Sequence, residues 1–160
     1  MNSMKKFLLA AALTAITITL SAQAMPDLAG TWTADAAKSD PAPAAGRGGR
    51  GGNPNQLSIT KSETDLTVSQ GGTGNYIYNL DGSERSGPPG GETKSKMTVQ
   101  DGVIVVTWKR EYFAGPDKGY LTSTGRDTYT LAGGALTVER TTTLPGQPPA
   151  TRKTVYNKAP

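Results

Sequence analysis

The sequence predicts an all-β protein: a single antiparallel up-and-down meander barrel of about 8–10 strands, preceded by a cleaved signal peptide. Three observations carry this expectation. Beyond residue 55, apolar and polar residues alternate at period two in run after run, as half-buried strands require. Two-residue turn signals, Asp81-Gly82, Asp101-Gly102 and Gly133-Gly134, separate several of those runs. No stretch of the mature chain shows the 3.6-residue apolar period of a helix. Consecutive strands usually pair, and a long meander hides its edges best by closing on itself.

The leader occupies residues 1–24. Lys5 and Lys6 supply the charged start, 7–20 is an uncharged run, and Ala22-Gln23-Ala24 is a small-x-small cleavage site. The run is too short for a comfortable membrane span, which needs about 20 residues. The sequence therefore predicts export to the periplasm or the medium, with a barrel domain over 25–160. Without Lys5 and Lys6 the mature chain holds 15 basic and 13 acidic residues, a net charge of only +2. So small a charge predicts neither a nucleic-acid partner nor a membrane partner. The chain has no Cys, hence no disulfide and no lipid-anchored cysteine, and a monomer without a stable membrane anchor is expected. It also has no His, which removes the usual metal ligand and general base. Common zinc, Ser-His and Cys-His sites are excluded, and no cofactor and no enzymatic activity are expected.

The first strand is centred on Gly30-Thr31-Trp32 in the stretch 28–34. Glycine lets the backbone turn in closely at a barrel end, and tryptophan buries the largest apolar surface. A G-x-W at the first strand resembles the opening of the calycin barrels, the group of the lipocalins and fatty-acid-binding proteins. The resemblance implies a barrel able to hold a small molecule. After this strand, 35–55 reads as a connection, with a Gly/Pro/Arg-rich flexible loop at 41–55. Its position between the first two strands is where such barrels carry a lid.

Strands are then expected at 56–61 and 64–70, with Leu57 and Ile59 facing inward beside Leu66 and Val68. A tight turn at Ser62-Glu63 would pair Ile59 with Leu66 and Leu57 with Val68. The run 75–80 places Tyr76, Tyr78 and Leu80 in phase, and Asp81-Gly82 reads as a hairpin leading into a short strand at 83–86. Asp101-Gly102 joins strands at 92–100 and 103–112 and sets Val99 opposite Ile104, Met97 opposite Val106, and Ser95 opposite Trp108. Gly133-Gly134 joins 119–132 to 135–144 and sets Leu131 opposite Leu136, Tyr129 opposite Val138, and Asp127 opposite Arg140. The chain closes with a strand at 150–157.

About ten strands lie nearer the fatty-acid-binding layout than the eight of lipocalins. Fatty-acid-binding proteins often carry an Arg two before a Tyr on the last strand, both holding a carboxylate. Here Tyr156 matches, but Thr154 stands where the Arg would be. In lipocalins an Arg near the final strand stacks on the G-x-W tryptophan, and the resemblance gives that role to Arg152.

The sharpest polar feature is Asp127 facing Arg140 among Tyr129, Leu131, Leu136 and Val138. Inside a barrel neither charge is stable alone, so the two are expected to pair. The pair reads either as an internal register lock or as a polar anchor for a ligand. Arg110 shares the phase of Trp108 and also points inward by pattern, but the 113–118 loop leaves its partner open. Tyr76, Tyr78, Trp108 and Tyr129 either fill the barrel or ring a ligand. The expected ligand-binding set is thus Arg140, Asp127, Arg110, Trp108, Tyr129, Tyr76 and Tyr78. The ligand would be a small apolar or amphipathic molecule. The rival reading is an envelope structural or interaction barrel with a filled interior. Glu92 and Glu111 face each other on the polar outer side, as a solvated pair.

Overall fold

A computed structural model describes residues 24–41, 55–71, 74–87 and 92–160. The leader at 1–23 and most of the Gly/Pro/Arg-rich loop, 42–54, lie outside the described residues. Ten strands follow in order: β1 (Gly30–Ala34), β2 (Gln56–Lys61), β3 (Asp65–Gln70), β4 (Asn75–Asn79), β5 (Arg85–Ser86), β6 (Glu92–Gln100), β7 (Val103–Phe113), β8 (Tyr120–Ala132), β9 (Ala135–Thr143) and β10 (Ala150–Lys158). They form one antiparallel sheet in the order β4-β3-β2-β1-β10-β9-β8-β7-β6-β5. The chain is a meander whose last strand pairs with its first, Trp32 opposite Lys158, and the sheet curls into a nearly closed barrel. Such a barrel is compatible with a calycin-like architecture.

Among the described residues no ladder joins β4 to β5. Arg85 bridges that seam instead: its Nη1 donates to Asp65 Oδ1 at 2.5 Å and to Asn79 Oδ1 at 2.9 Å. The hairpin expected at Asp81-Gly82 is therefore absent, and the strand after it shrinks to β5. Local bonds take up the turn. Leu80 N donates back to Thr64 O, Gly82 N to Asn79 O, and Ser83 N to the Asp81 carboxylate. The β2–β3 register also differs from expectation, with Ile59 opposite Val68 and Leu57 opposite Gln70. Ser62 Oγ accepts from the amides of Thr64 and Asp65, which centres the turn on Glu63-Thr64, one residue later. Each partner moves by two, so every side chain keeps its face. The β6–β7 and β8–β9 registers are as the two-residue turns predict.

Strand alternation sorts the connections onto two ends. Connections 62–64, 80–84, 101–102 and 133–134 share one end, which we call the turn end. The other, the loop end, carries 35–55, 71–74, 87–91, 114–119 and 144–149. Gly133 and Gly134 hold φ of +58° and +79°, the left-handed pair that a tight type I′ hairpin needs.

The apolar core fills the turn end. Leu28, Trp32, Ile59, Leu66, Ile104 and Leu136 are each no more than 1% exposed. The segment before β1 folds under this end: Leu28 is buried, and its carbonyl accepts the Trp32 indole N–H at 2.9 Å. The tryptophan is thus buried with its one polar group satisfied. Lys158 lies beside it, Nζ 5.6 Å from the ring centroid, with its stem over Gly30. Lys158, and not Arg152, is the cation on the G-x-W tryptophan. Arg152 lies opposite Arg140, much farther toward the loop end.

β1 pairs with β10 only as far as Tyr156, and the chain after β1 continues along the same edge. Asp35 N donates to Val155 O, Val155 N to Ser39 Oγ, and Lys153 N to the Asp40 carboxylate. This strap holds the half of β10 that carries Arg152.

Candidate functional site

The site is built on the β8–β9 hairpin. With Gly133-Gly134 as its turn, Asp127 and Arg140 must share a face. Arg140 Nε donates to Asp127 Oδ2 at 3.0 Å, and Nη2 stands 2.9 Å from the same oxygen. Asp127 is 2% exposed, whereas the Arg140 side chain is 39% exposed and reaches toward the loop end. Trp108 Nε1 donates to the other carboxylate oxygen at 3.3 Å. That indole can lie there because its cross-strand neighbour is Gly125, where a Cβ would fall 2.2 Å from the ring. Burial alone would lower the Arg140 pKa, but the Asp127 charge and hydrogen bonds outweigh it and push it up.

Beneath the pair lie Tyr129, 1% exposed, and Tyr78, 5% exposed, hydrogen-bonded to each other. Burial first, and the nearby Asp127 charge with it, push both phenols well above the usual tyrosine range. Burial likewise raises Tyr156, whose Oη accepts from Gln70 Nε2 at 3.4 Å. All three are neutral at ordinary pH.

Between this layer and the loop end lies a cavity of about 60 Å³. Leu57, Val68, Tyr129 and Val138 form its apolar lining. Gln70, Tyr76, Arg140, Arg152, Thr154 and Tyr156 bring polar groups to it. The two arginines differ. Arg140 is neutralised by Asp127, while Arg152 forms no ion pair among the described residues, and its buried Nε has no hydrogen-bond partner. Tyr76, at the rim, is 42% exposed.

Of the residues that the pattern proposed, Arg140, Tyr129 and Tyr76 line the cavity. Asp127, Trp108 and Tyr78 support it from behind. Arg110 does not meet Asp127; it stands opposite Ser123, is exposed, and lies outside the cavity lining. Four polar contributors were missed: Gln70, Arg152, Thr154 and Tyr156. Arg152, Thr154 and Tyr156 alternate in phase, which is a readable signal. The 144–149 connection is too long, however, to reveal that Arg152 faces Arg140.

A larger hollow of about 390 Å³ lies at the turn end between Glu63–Asp65 and Asn79–Ser83. Two of its three acids are engaged: Asp65 by Arg85, and Asp81 by Ser83. No group of three or more His, Cys, Asp or Glu among the described residues could hold a metal ion. No family model, curated protein or solved structure matches the chain.

Proposed function

We propose that the protein is an exported, non-catalytic binding barrel for a small amphipathic molecule taken up at the loop end. The observation that supports it most is the polar cavity lined by Arg140 and Arg152, open beside the exposed rim residue Tyr76. The turn end is occupied by side chains, so a ligand does not run the length of the barrel. It places one end in the cavity and leaves the rest against the rim. Asp127, Trp108 and Tyr78 hold the arginine and tyrosine layer in place. Neither nucleic acid nor a cofactor is part of this reading.

A second reading, a filled barrel acting through its outer surface, draws on the cavity's size. Ligand pockets usually measure about 300–1,000 Å³, against about 60 Å³ here. Native mass spectrometry of the mature protein, purified from its exporting cells, separates the two. A bound mass that disappears on organic extraction is expected. Bare protein before and after extraction, with no shift against a panel of lipids and metabolites, would favour the filled barrel.

A further inference from the structure

We propose that the outer face of β7 and β8, with the neighbouring strands β6 and β9, binds an acidic polysaccharide. The surface lies on the outside of the barrel, so it stands whether or not the cavity takes a ligand.

The outward charges are divided unevenly. The outer faces of β1 to β4 carry one charged residue, Asp65, and Arg85 holds it. By register and alternation, the outer face of β6 to β10 carries the cations Lys94, Lys96, Lys109, Arg126 and Lys153 against the acids Glu92, Glu111 and Glu139. A mature chain of small net charge thus gathers its positive surplus on one side. The side chains on this face are ordered. One row, set by register, runs Lys96, Thr107, Arg126, Thr141. Lys96 and Arg126 are exposed and form no ion pair among the described residues. The next row toward the loop end holds Lys109 and Thr124, with Lys109 Nζ 3.3 Å from Glu111 in a half-exposed contact of little strength. At the end of the same face Phe113 stands opposite Tyr120, their ring centroids 5.5 Å apart and their planes tilted by 58°. These rings are 60% and 77% exposed. From Arg126 to Tyr120 the face runs about 20 Å along the strand.

Each feature narrows the partner. Neither hollow described above lies on this face, so its contacts suit an extended chain and not an enclosed small molecule. An aromatic ring offers its negative π face to the slightly positive C–H face of a sugar ring. Thr107, Thr122 and Thr124 are exposed, and their hydroxyls both donate and accept, as sugar hydroxyls do. Lys96 and Arg126 supply positive charge for carboxylates spaced along the chain. A lipid surface fits worse: between the aromatic pair and Arg126 the face holds hydroxyls and charges, with no apolar side chain to insert. Single-stranded nucleic acid shares the need for aromatic rings and cations. Export, which belongs to the reading above, favours the polysaccharide.

The test is biolayer interferometry of the mature protein on three immobilised polymers: polygalacturonate, neutral dextran and poly(U) RNA. Four variants accompany it: Lys96→Gln, Arg126→Gln, Tyr120→Ala and the control Lys61→Gln, an exposed cation at the end of β2. All four replaced side chains are exposed, so matching circular dichroism spectra are expected. Polygalacturonate is expected to bind about tenfold more tightly than dextran or poly(U), and to weaken as salt is added. Lys96→Gln and Arg126→Gln are each expected to weaken it by about threefold to fivefold. Tyr120→Ala is expected to weaken it by about fivefold or more, and Lys61→Gln to leave it unchanged. Equal binding of dextran would overturn the acidic requirement. Tighter binding of poly(U) would overturn the polysaccharide and assign the face to nucleic acid. A loss with Lys61→Gln equal to that with Arg126→Gln would overturn the face, since net charge alone would then be read. Binding of none of the polymers would overturn the proposal and leave the cavity reading standing, because native mass spectrometry tests that separately.

Discussion

The two ends of the barrel are made from the same strands and behave as different materials. At the turn end, short connections force strands into register, and the interior is apolar, with Ile59, Ile104 and Leu136 fully buried. At the loop end the same strands carry Asp127, Arg140 and Arg152 on their inward faces, around a small cavity. The four exposed large hydrophobics among the described residues, Tyr76, Phe113, Tyr120 and Leu144, sit toward the loop end as well. Apolar burial is concentrated where connections are short, and inward polar groups where they are long. This matches the general tendency of functional groups to sit on loops held by a rigid scaffold.

Substitutions at each end put this division to the test. The largest effect is expected at Trp32. Replacing it with Ala removes the side chain that fills the turn end, at a cost of about 3–5 kcal/mol, readable by chemical denaturation. A cost below about 1 kcal/mol would show that the turn end is not where stability lies. Asp127→Asn, at the other end, leaves Arg140 without a counter-charge and should cost about 1–3 kcal/mol. If it exceeded Trp32→Ala, the loop end would be the main support of the fold. Gly125→Ala forces a Cβ into the Trp108 ring and should cost about 1–3 kcal/mol, with a change in tryptophan fluorescence. An unchanged spectrum would mean that Trp108 is not held against Asp127.

The buried phenols predict an alkaline limit. In the unfolded chain Tyr78 and Tyr129 lose protons near 10.0, while in the barrel they keep them to higher pH. Above about pH 10 the folded state therefore holds more protons, and stability falls as pH rises, by up to about 1.4 kcal/mol per pH unit for each tyrosine. Thermal melts from pH 8 to 11 should be flat to about 10 and then decline; a flat profile throughout would contradict the raised phenols. The smallest effect is expected at the seam. Arg85→Ala removes a half-exposed ion pair and should cost no more than about 1 kcal/mol. A larger loss would make the seam, and not the Trp32 layer, the weak point of closure.

Much of this architecture was legible beforehand. The Asp127–Arg140 pair was read from Gly133-Gly134 alone, and the Val99–Ile104 register from Asp101-Gly102, because a two-residue turn leaves almost no freedom in pairing. Where the turn chemistry was subtler, reading failed in a regular way. Ser62 capped its own turn and shifted β2–β3 by two, preserving faces. Asp81-Gly82 looked like a hairpin, but Leu80 bonded back to Thr64 and no β4–β5 ladder formed. Long-range partners were illegible: Lys158 took the place on Trp32 that resemblance gave to Arg152, and Arg110 met Ser123.

By itself, then, the sequence determined the all-β class, the inward and outward faces, and the registers of the two tightest hairpins. These follow from period two and from turns whose two residues admit few conformations. Tertiary structure alone decided how deep each inward residue lies: Trp32 among apolar neighbours, and Arg152 beside Arg140 at the cavity. Alternation fixes which face a side chain takes, but its level along the barrel depends on pairing between strands joined by long connections. That pairing is set by packing across the whole barrel, where an uncompensated charge is tolerated near the loop end and excluded from the core.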